Sequence, residues 1–229
     1  MKVNEVFYSL QGEGYNQGLP TVFIRLQGCN LEPGCTYCDT EYARKDGGRE
    51  LSVEEIIKEI VRLSPSTGTR VCITGGEPLY QEEELEVLVA TLNKFLYYTE
   101  VFTNGTLPKP FWWTRVNSWV VDIKTPSSGI KSTHFPEWIE SRPTDQIKLT
   151  VGNSEDLEFA SRIVAACATK PVRVIVSPIA NLLVDKKAST ITEFWNKEWL
   201  QEVAEFCIDK RVRLSLQIHK LIWGNKKGV

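Results

Sequence analysis

Short runs of β-branched and aliphatic residues alternate along the chain with stretches whose apolar positions recur every three to four residues. This alternation predicts strands and helices in turn around a mostly parallel sheet, an α/β fold. The predicted strands are Thr21–Gln27, Arg70–Thr74, Glu100–Thr103, Trp119–Ile123, Gln146–Val151, Arg173–Val176 and Val212–Leu216. Ser52-Val53-Glu54-Glu55 reads as a capping box that opens a helix, with Val53, Ile56, Ile57, Ile60 and Val61 on one face. Further helices are predicted over Gln81–Phe95, from Ser154 to Ala168, and from Thr190 or Thr192 with Phe194, Trp195, Leu200, Val203 and Phe206 as the apolar stripe. The irregular stretches are 28–50, 106–110, 125–142 and 181–189. Several of them follow the C-terminal ends of strands, where parallel α/β architectures place their sites.

Length and composition predict a single domain over 1–229: 229 residues, with 42% hydrophobic and 24% charged, are enough for an ordinary core without disulfides. The amino terminus lacks the basic head and apolar run of a secretory signal, and no segment has the length of a membrane span, so a cytoplasmic, reduced location without membrane contact is expected. A net charge of -2 gives no sign of nucleic-acid binding, and Asn225-Lys226-Lys227 is too short a basic tail to change that. The six cysteines therefore need another account. Cys72, Cys167 and Cys207 fall inside apolar strand or helix patterns, as small buried hydrophobes do.

The other three, in Cys29-Asn-Leu-Glu-Pro-Gly-Cys35-Thr-Tyr-Cys38, lie on one predicted loop. Three thiolates there can hold a 4Fe-4S cluster with one iron left open for chemistry. A structural zinc would need a fourth ligand from Cys72, Cys167, Cys207, Asp39 or one of two histidines, and no second Cys-x-x-Cys pair supplies it. A later strand runs into Thr74-Gly75-Gly76-Glu77-Pro78, where two glycines permit close backbone approach. Ser9-Leu10-Gln11-Gly12-Glu13-Gly14 can present backbone groups to a flat ligand, with Gln11 and Glu13 as polar edges; its alternative is a tight turn. Arg25 can pair with a carboxylated substrate or form a surface ion pair. Asp39 and Thr40 are oxygen donors suited to Mg2+, or a loop cap.

The cysteine loop together with Gly-Gly-Glu-Pro resembles the radical S-adenosylmethionine superfamily, in which the second segment holds the methionyl amino group of S-adenosylmethionine. With Ser9–Gly14, Phe23–Cys29, Cys38-Asp39-Thr40, Asp122-Ile123-Lys124 and Ser215–Lys220 added, nearly the whole chain resembles the 7-carboxy-7-deazaguanine synthase family. The resemblance implies a partial, modified (β/α)6 barrel of the radical S-adenosylmethionine type. It implies conversion of 6-carboxy-5,6,7,8-tetrahydropterin to 7-carboxy-7-deazaguanine with loss of ammonia, in the route to queuosine and related deazapurines. The implied mechanism begins with hydrogen abstraction from C6 and proceeds by ring contraction. The implied cofactors are a 4Fe-4S cluster on Cys29, Cys35 and Cys38, S-adenosylmethionine, and Mg2+ on Thr40. Tyr37, Cys38, Asp39, Gly76, Glu77, Asp122, Ile123, Lys124, Ser177, Pro178, Ile179 and Ala180 would flank S-adenosylmethionine. Leu10, Gln11, Gly12, Glu13, Arg25, Thr74 and His219 would line the pterin pocket. The implied partners are an electron donor such as flavodoxin or ferredoxin and a second copy of the chain, for which Phe111, Trp112 and Trp113 could form an exposed patch or equally core.

Two features depart from the family pattern. Five residues separate Cys29 from Cys35 instead of the usual three, the extra length lying in Glu32-Pro33-Gly34. Family members often end near the position of Asn225 with the terminal carboxylate beside the substrate, whereas this chain continues to Val229, leaving either residue for that place. Two other readings compete: a glycyl-radical-enzyme activase, which would lack Gln-Gly-Glu-Gly before the cluster, and a zinc-stabilised binding module, which would be colourless.

Overall fold

The computed structural model describes residues 1–45, 47–65, 68–131, 135–180, 194–224 and 226–229. Within them one sheet of nine strands runs in the order β3-β1-β2-β4-β5-β6-β7-β8-β9. The strands are β1 (Lys2–Leu10), β2 (Pro20–Leu26), β3 (Arg49–Glu50), β4 (Arg70–Gly75), β5 (Tyr98–Thr103), β6 (Ser118–Ile123), β7 (Gln146–Val151), β8 (Arg173–Pro178) and β9 (Arg213–Leu214). β1 is antiparallel to β2 and β3, and every pair from β2 to β9 is parallel. β7 is buried at all its positions, as expected of a parallel strand covered on both faces.

The sequence reading omits β1 and β3. β1 has only Val3 fully buried and mostly half-buried neighbours, so no clean two-residue alternation marks it. β3 spans two residues within the long loop after Gly28. The strand predicted over Val212–Leu216 shrinks to Arg213–Leu214.

Helix α1 (Val53–Leu63) opens on the predicted capping box: the Glu55 N–H donates to Ser52 Oγ at 3.2 Å and the Ser52 N–H to the Glu55 carboxylate at 2.7 Å. Its buried stripe centres on Ile56 and Ile60. Val61, one residue and about 100° further round, is 48% exposed and does not join it. Helices α2 (Glu82–Lys94) and α3 (Ser154–Cys167) match their predicted spans. The predicted starts at Thr190 and Thr192 lie outside the described residues; α4 is described over Lys197–Lys210, capped by Asn196, whose Oδ1 accepts from the Trp199 N–H at 2.8 Å. Phe194 and Trp195 precede it and pack with Ala180 in a small separate core. Helix α5 (Ile218–Trp223), for which no element is predicted, follows β9 and carries His219.

Among the described residues, no α-helix covers the β5–β6 and β6–β7 connections. Aromatic bulk does so instead. Trp112 and Trp138, from those connections, close on Trp119 of β6 at 5.9 and 5.2 Å between centroids, all three buried. Trp112 is thus core, while Phe111 beside it is 81% exposed.

The two ends of the sheet approach each other. The Gly14 N–H, beyond β1, donates to Ser215 Oγ beyond β9 at 2.9 Å, and the Ile218 N–H donates to the Gly12 carbonyl at 3.1 Å. The sheet is therefore curled into the partial, modified (β/α)6 barrel expected from the sequence, with its cavity at the C-terminal ends of the parallel strands. No helix among the described residues is long and apolar enough to cross a membrane.

Candidate active site

The stretch after β2 carries Cys29, Cys35 and Cys38 to one side of a cavity of about 260 Å³. All three thiols are free and partly exposed. The loop is pinned at both ends by the protein. The Gly28 N–H donates to the Ala43 carbonyl and the Glu77 N–H to the Gly28 carbonyl, each at 2.8 Å, and the Thr36 N–H donates to the Ser128 carbonyl at 3.0 Å. Burial pushes the Cys29 and Cys35 thiols up. At Cys35 the Lys124 ammonium, in contact with the sulfur, pulls the other way. Lys124 is itself held at 2.8 Å by Asp122. No three His, Cys, Asp or Glu side chains among the described residues converge as ligands of a single metal ion would. A cubane presents a different iron to each thiolate, so its ligands need no common centre, and the three free cysteines fit it as a donor set.

The Gly-Gly-Glu-Pro segment supports this loop from below. A Cβ on Gly76 would lie 1.9 Å from the Gly28 carbonyl oxygen, and one on Gly75, at φ +142°, would lie 2.3 Å from the Leu26 oxygen. A side chain at Gly76 would push the start of the cluster loop off β4, and one at Gly75 would push the end of β2 away. The fully buried Glu77 carboxylate accepts from the Leu79 N–H at 3.0 Å, Thr103 Oγ1 at 2.8 Å and the Asn104 N–H at 2.7 Å. Burial raises its pKa, and those donors oppose the rise. Asn104 Nδ2 then donates to Asn30 Oδ1 at 2.9 Å, and Asn30 Nδ2 to Thr106 Oγ1 at 2.9 Å, tying the cysteine loop to the end of β5.

A charged wall joins the end of β1, β7 and the segment after β9 to the cysteine loop. Glu13 pairs with Lys148 of β7 and accepts from Gln217 Nε2 at 2.7 Å. Burial raises the Glu13 carboxyl, but Lys148 and then His219 outweigh it and hold the group below its ordinary value. Asp39 pairs with Lys220 at 3.1 Å. Burial raises its pKa too, but the Lys220 ammonium leads the interactions that bring it down to about 2. His219 is half-buried, and the loss of solvent lowers its pKa against the pull of Glu13 and Asp39. Arg25 donates from Nε to Glu5 at 2.7 Å and lies over the Phe7 and Tyr42 rings, and among the described residues its terminal nitrogens have no hydrogen-bond partner.

The structure gathers the predicted site residues closely. The cavity is lined from the β1 end by Leu10, Gln11, Gly12 and Glu13, from β2 by Arg25, and from its loop by Tyr37, Asp39, Thr40 and the three cysteines. Thr74, Gly76 and Glu77 line it after β4, Asp122 and Lys124 after β6, and Ser177, Pro178, Ile179 and Ala180 at β8. His219 and Val229 complete it. The Ile123 side chain instead packs in the main core, because its neighbours Asp122 and Lys124 take the cavity-facing positions of that strand end. Asn225 lies outside the described residues. Ser177 Oγ is buried without a hydrogen-bond partner, a polar atom left for a ligand at the β8 end.

Sequence reasoning missed Lys148, Gln217, Lys220 and Asn104. Lys148 sits inside a predicted strand as an ordinary polar residue, and only the curl of the sheet brings it to Glu13. Cys72 was expected as core, and although 1% exposed it also forms part of the cavity floor.

Residues 23–128 match the family described as the Radical SAM superfamily. The chain is 36% identical over 224 residues to the 7-carboxy-7-deazaguanine synthase of Methanospirillum hungatei, covering 97% of this chain and 85% of that protein. It is 35% identical over 246 residues to the protein of that name from Koribacter versatilis, covering both in full. Among solved structures it is similar to the crystal structure of QueE from Escherichia coli, with a TM-score of 0.70 and 26% identity over 94% of this chain and 93% of that one.

Proposed function

The chain belongs to the 7-carboxy-7-deazaguanine synthase family of radical S-adenosylmethionine enzymes, and from that membership and the cavity's lining we propose that it converts 6-carboxy-5,6,7,8-tetrahydropterin to 7-carboxy-7-deazaguanine, releasing ammonia, in deazapurine or queuosine biosynthesis. The observation that carries the reading is one cavity lined both by three free cysteines and by Gln11, Glu13, Arg25 and His219.

Cys29, Cys35 and Cys38 hold the 4Fe-4S cluster, and cluster and S-adenosylmethionine together supply the radical chemistry. The Lys124 ammonium beside Cys35 offsets negative charge at the thiolates. Ser177 to Ala180, with Tyr37, Gly76 and Asp122, lie where S-adenosylmethionine would contact the wall, and the orphaned Ser177 hydroxyl supports that placement. Glu77 serves there as a scaffold, its carboxylate already engaged by three donors. Glu13, kept ionised by Lys148, accepts substrate N–H groups, and Leu10 and Thr74 pack against the ring. Arg25 offers its free terminal nitrogens to the substrate carboxylate. Thr40 beside Asp39 supplies oxygen donors for Mg2+. Val229, at the cavity wall, closes the carboxylate side with Arg25. A flavodoxin- or ferredoxin-like donor, a homodimer and a cytoplasmic location complete the proposal.

The test is anaerobic turnover of the reconstituted protein with reductant, S-adenosylmethionine, Mg2+ and the pterin, following product by mass, with sedimentation of the same preparation. Product formation by the wild type and none by Cys35→Ala, from a species of twice the chain mass, is expected. Cleavage of S-adenosylmethionine with the pterin untouched would remove the proposed substrate, and a monomeric mass at all concentrations the dimer.

A further inference from the structure

Below the cavity floor the barrel interior holds a carboxylate that none of the roles above uses. Glu100, on β5, is 4% exposed and lies in register between Cys72 of β4 and Ser118 of β6. Three side-chain amides donate to it: Gln11 Nε2 to Oε2 at 2.7 Å, Asn16 Nδ2 to Oε1 at 2.8 Å and Gln146 Nε2 to Oε1 at 3.3 Å.

The orientation of each amide is set from its far side. Asn16 Oδ1 accepts from Arg70 Nη1 at 3.2 Å, and a guanidinium can only donate, so the Asn16 nitrogen must face Glu100. Gln146 Oε1 accepts from the Tyr15 N–H at 3.0 Å, which turns its nitrogen the same way. With both amides fixed as donors, the carboxylate is an acceptor on every side. It imposes the same orientation on Gln11, whose NH2 also faces the Cys72 sulfur and whose Oε1 accepts a long contact of 3.4 Å from the Glu13 N–H. Gln11, 3% exposed and part of the cavity lining, thus has its NH2 anchored on Glu100 and its carbonyl oxygen turned to the Glu13 side.

We propose that Glu100 is a positioning residue for substrate recognition: by accepting from the Gln11 amide it holds the Gln11 carbonyl oxygen toward the cavity, so that the pocket selects a ring edge that donates hydrogen bonds. The amino-pyrimidine edge of a pterin is such an edge, and in this the inference rests on the function proposed above. A site whose buried amide presents the wrong end loses one hydrogen bond and leaves two like groups facing each other.

The ionised carboxylate is needed for this arrangement, because a protonated one must itself donate through one oxygen and so reject one of the three amides. Burial pushes the Glu100 carboxyl up to about 7, against the pull of Asn16, Gln11, Arg70 and Gln146. The other ionisable groups facing it are the Cys72 thiol, itself pushed up by burial, and the Arg70 guanidinium. Lowering the pH through 7 therefore releases Gln11.

The experiment is calorimetric titration of 6-carboxy-5,6,7,8-tetrahydropterin into the anaerobic protein loaded with cluster and S-adenosylmethionine. It compares wild type, Glu100→Gln and Asn16→Leu between about pH 6 and about pH 8. The wild-type Kd is expected to weaken by about tenfold as the pH falls. Glu100→Gln is expected to bind weakly at both ends of the range, without that step. Asn16→Leu removes a donor on the side away from the cavity and should move the step to higher pH. A pH dependence shared equally by wild type and Glu100→Gln would belong to His219 and would overturn the inference alone. Absence of pterin binding by the wild type at every pH would overturn the substrate reading and the inference with it.

Discussion

At the scale of single residues, Gly12 shows how a position can be noticed for one reason and needed for another. In the sequence it is one glycine of Gln-Gly-Glu-Gly, able to offer its backbone to a ligand. In the structure a Cβ there would lie 2.0 Å from His219 Nδ1, so the glycine makes room for the histidine ring. Its backbone is outside the left-handed region, so an alanine would strain the site without straining the chain. Gly12→Ala is expected to raise the KM for the pterin by about tenfold or more, since displacing His219 disturbs Glu13 and Asp39 together, while leaving the melting temperature nearly unchanged. Steady-state kinetics beside a thermal melt would check it, and an unchanged KM would mean that His219 has no part in binding. The motif residues were legible in the sequence because unusual residue types stand close together there. Lys148 and Glu100 were not, because a charged residue within a strand pattern reads as surface until the curl of the sheet turns that face inward; Lys220, beyond the last predicted strand, is brought to Asp39 only by the helix that follows β9.

At the scale of elements, the legible parts were those with strong local signals. The capping box at Ser52 and Glu55 fixed the start of α1, and the β-branched runs of β4, β6 and β7 fixed the barrel staves. What local patterns could not supply was the covering of β5 to β7, where two connections lack an α-helix among the described residues. The tryptophan cluster there depends on Asp145, fully buried in the turn before β7. Its Oδ1 accepts from the Trp119 N–H at 3.0 Å and from Arg142 Nη2 at 3.0 Å, and its Oδ2 from the Arg142 N–H at 2.9 Å. Arg142 in turn donates to the carbonyls of Thr114 and Val116, so one ion pair joins the edge of β6 to both helix-free connections. Asp145→Ala would leave the guanidinium without its counter-charge and the Trp119 N–H without its acceptor, and a loss of about 3 kcal/mol is expected in equilibrium urea unfolding. A loss near zero would show that the tryptophans hold this side of the barrel by packing alone.

At the scale of the whole molecule, the cysteine loop raises the question of whether the cluster builds the site or enters one already built. A small zinc domain folds only around its metal, because its core is too small to stand alone. Here the core runs through the sheet and its helices, and the three cysteines lie outside it, at the cavity. The loop that carries them is held without a cluster by Gly28 against Ala43 and Glu77, by Thr36 against Ser128, and by Asn30 against Asn104 and Thr106. Its extra residues, Glu32-Pro33-Gly34, sit beside Arg44, which donates to the Leu31 carbonyl at 3.2 Å and pairs with Glu32, so the longer spacing has its own support. The protein without cluster should therefore be fully folded, its site waiting for iron and sulfide. The Cys29→Ala/Cys35→Ala/Cys38→Ala protein is expected to be colourless, with the far-ultraviolet circular dichroism of the wild type and one cooperative thermal transition within about 5 °C of the wild-type apoprotein, a shift on the order of 1–2 kcal/mol for a chain of this size. A broad transition or a loss of helical signal would instead make the thiols part of the folding core, and the preformed loop would then be a consequence of the cluster.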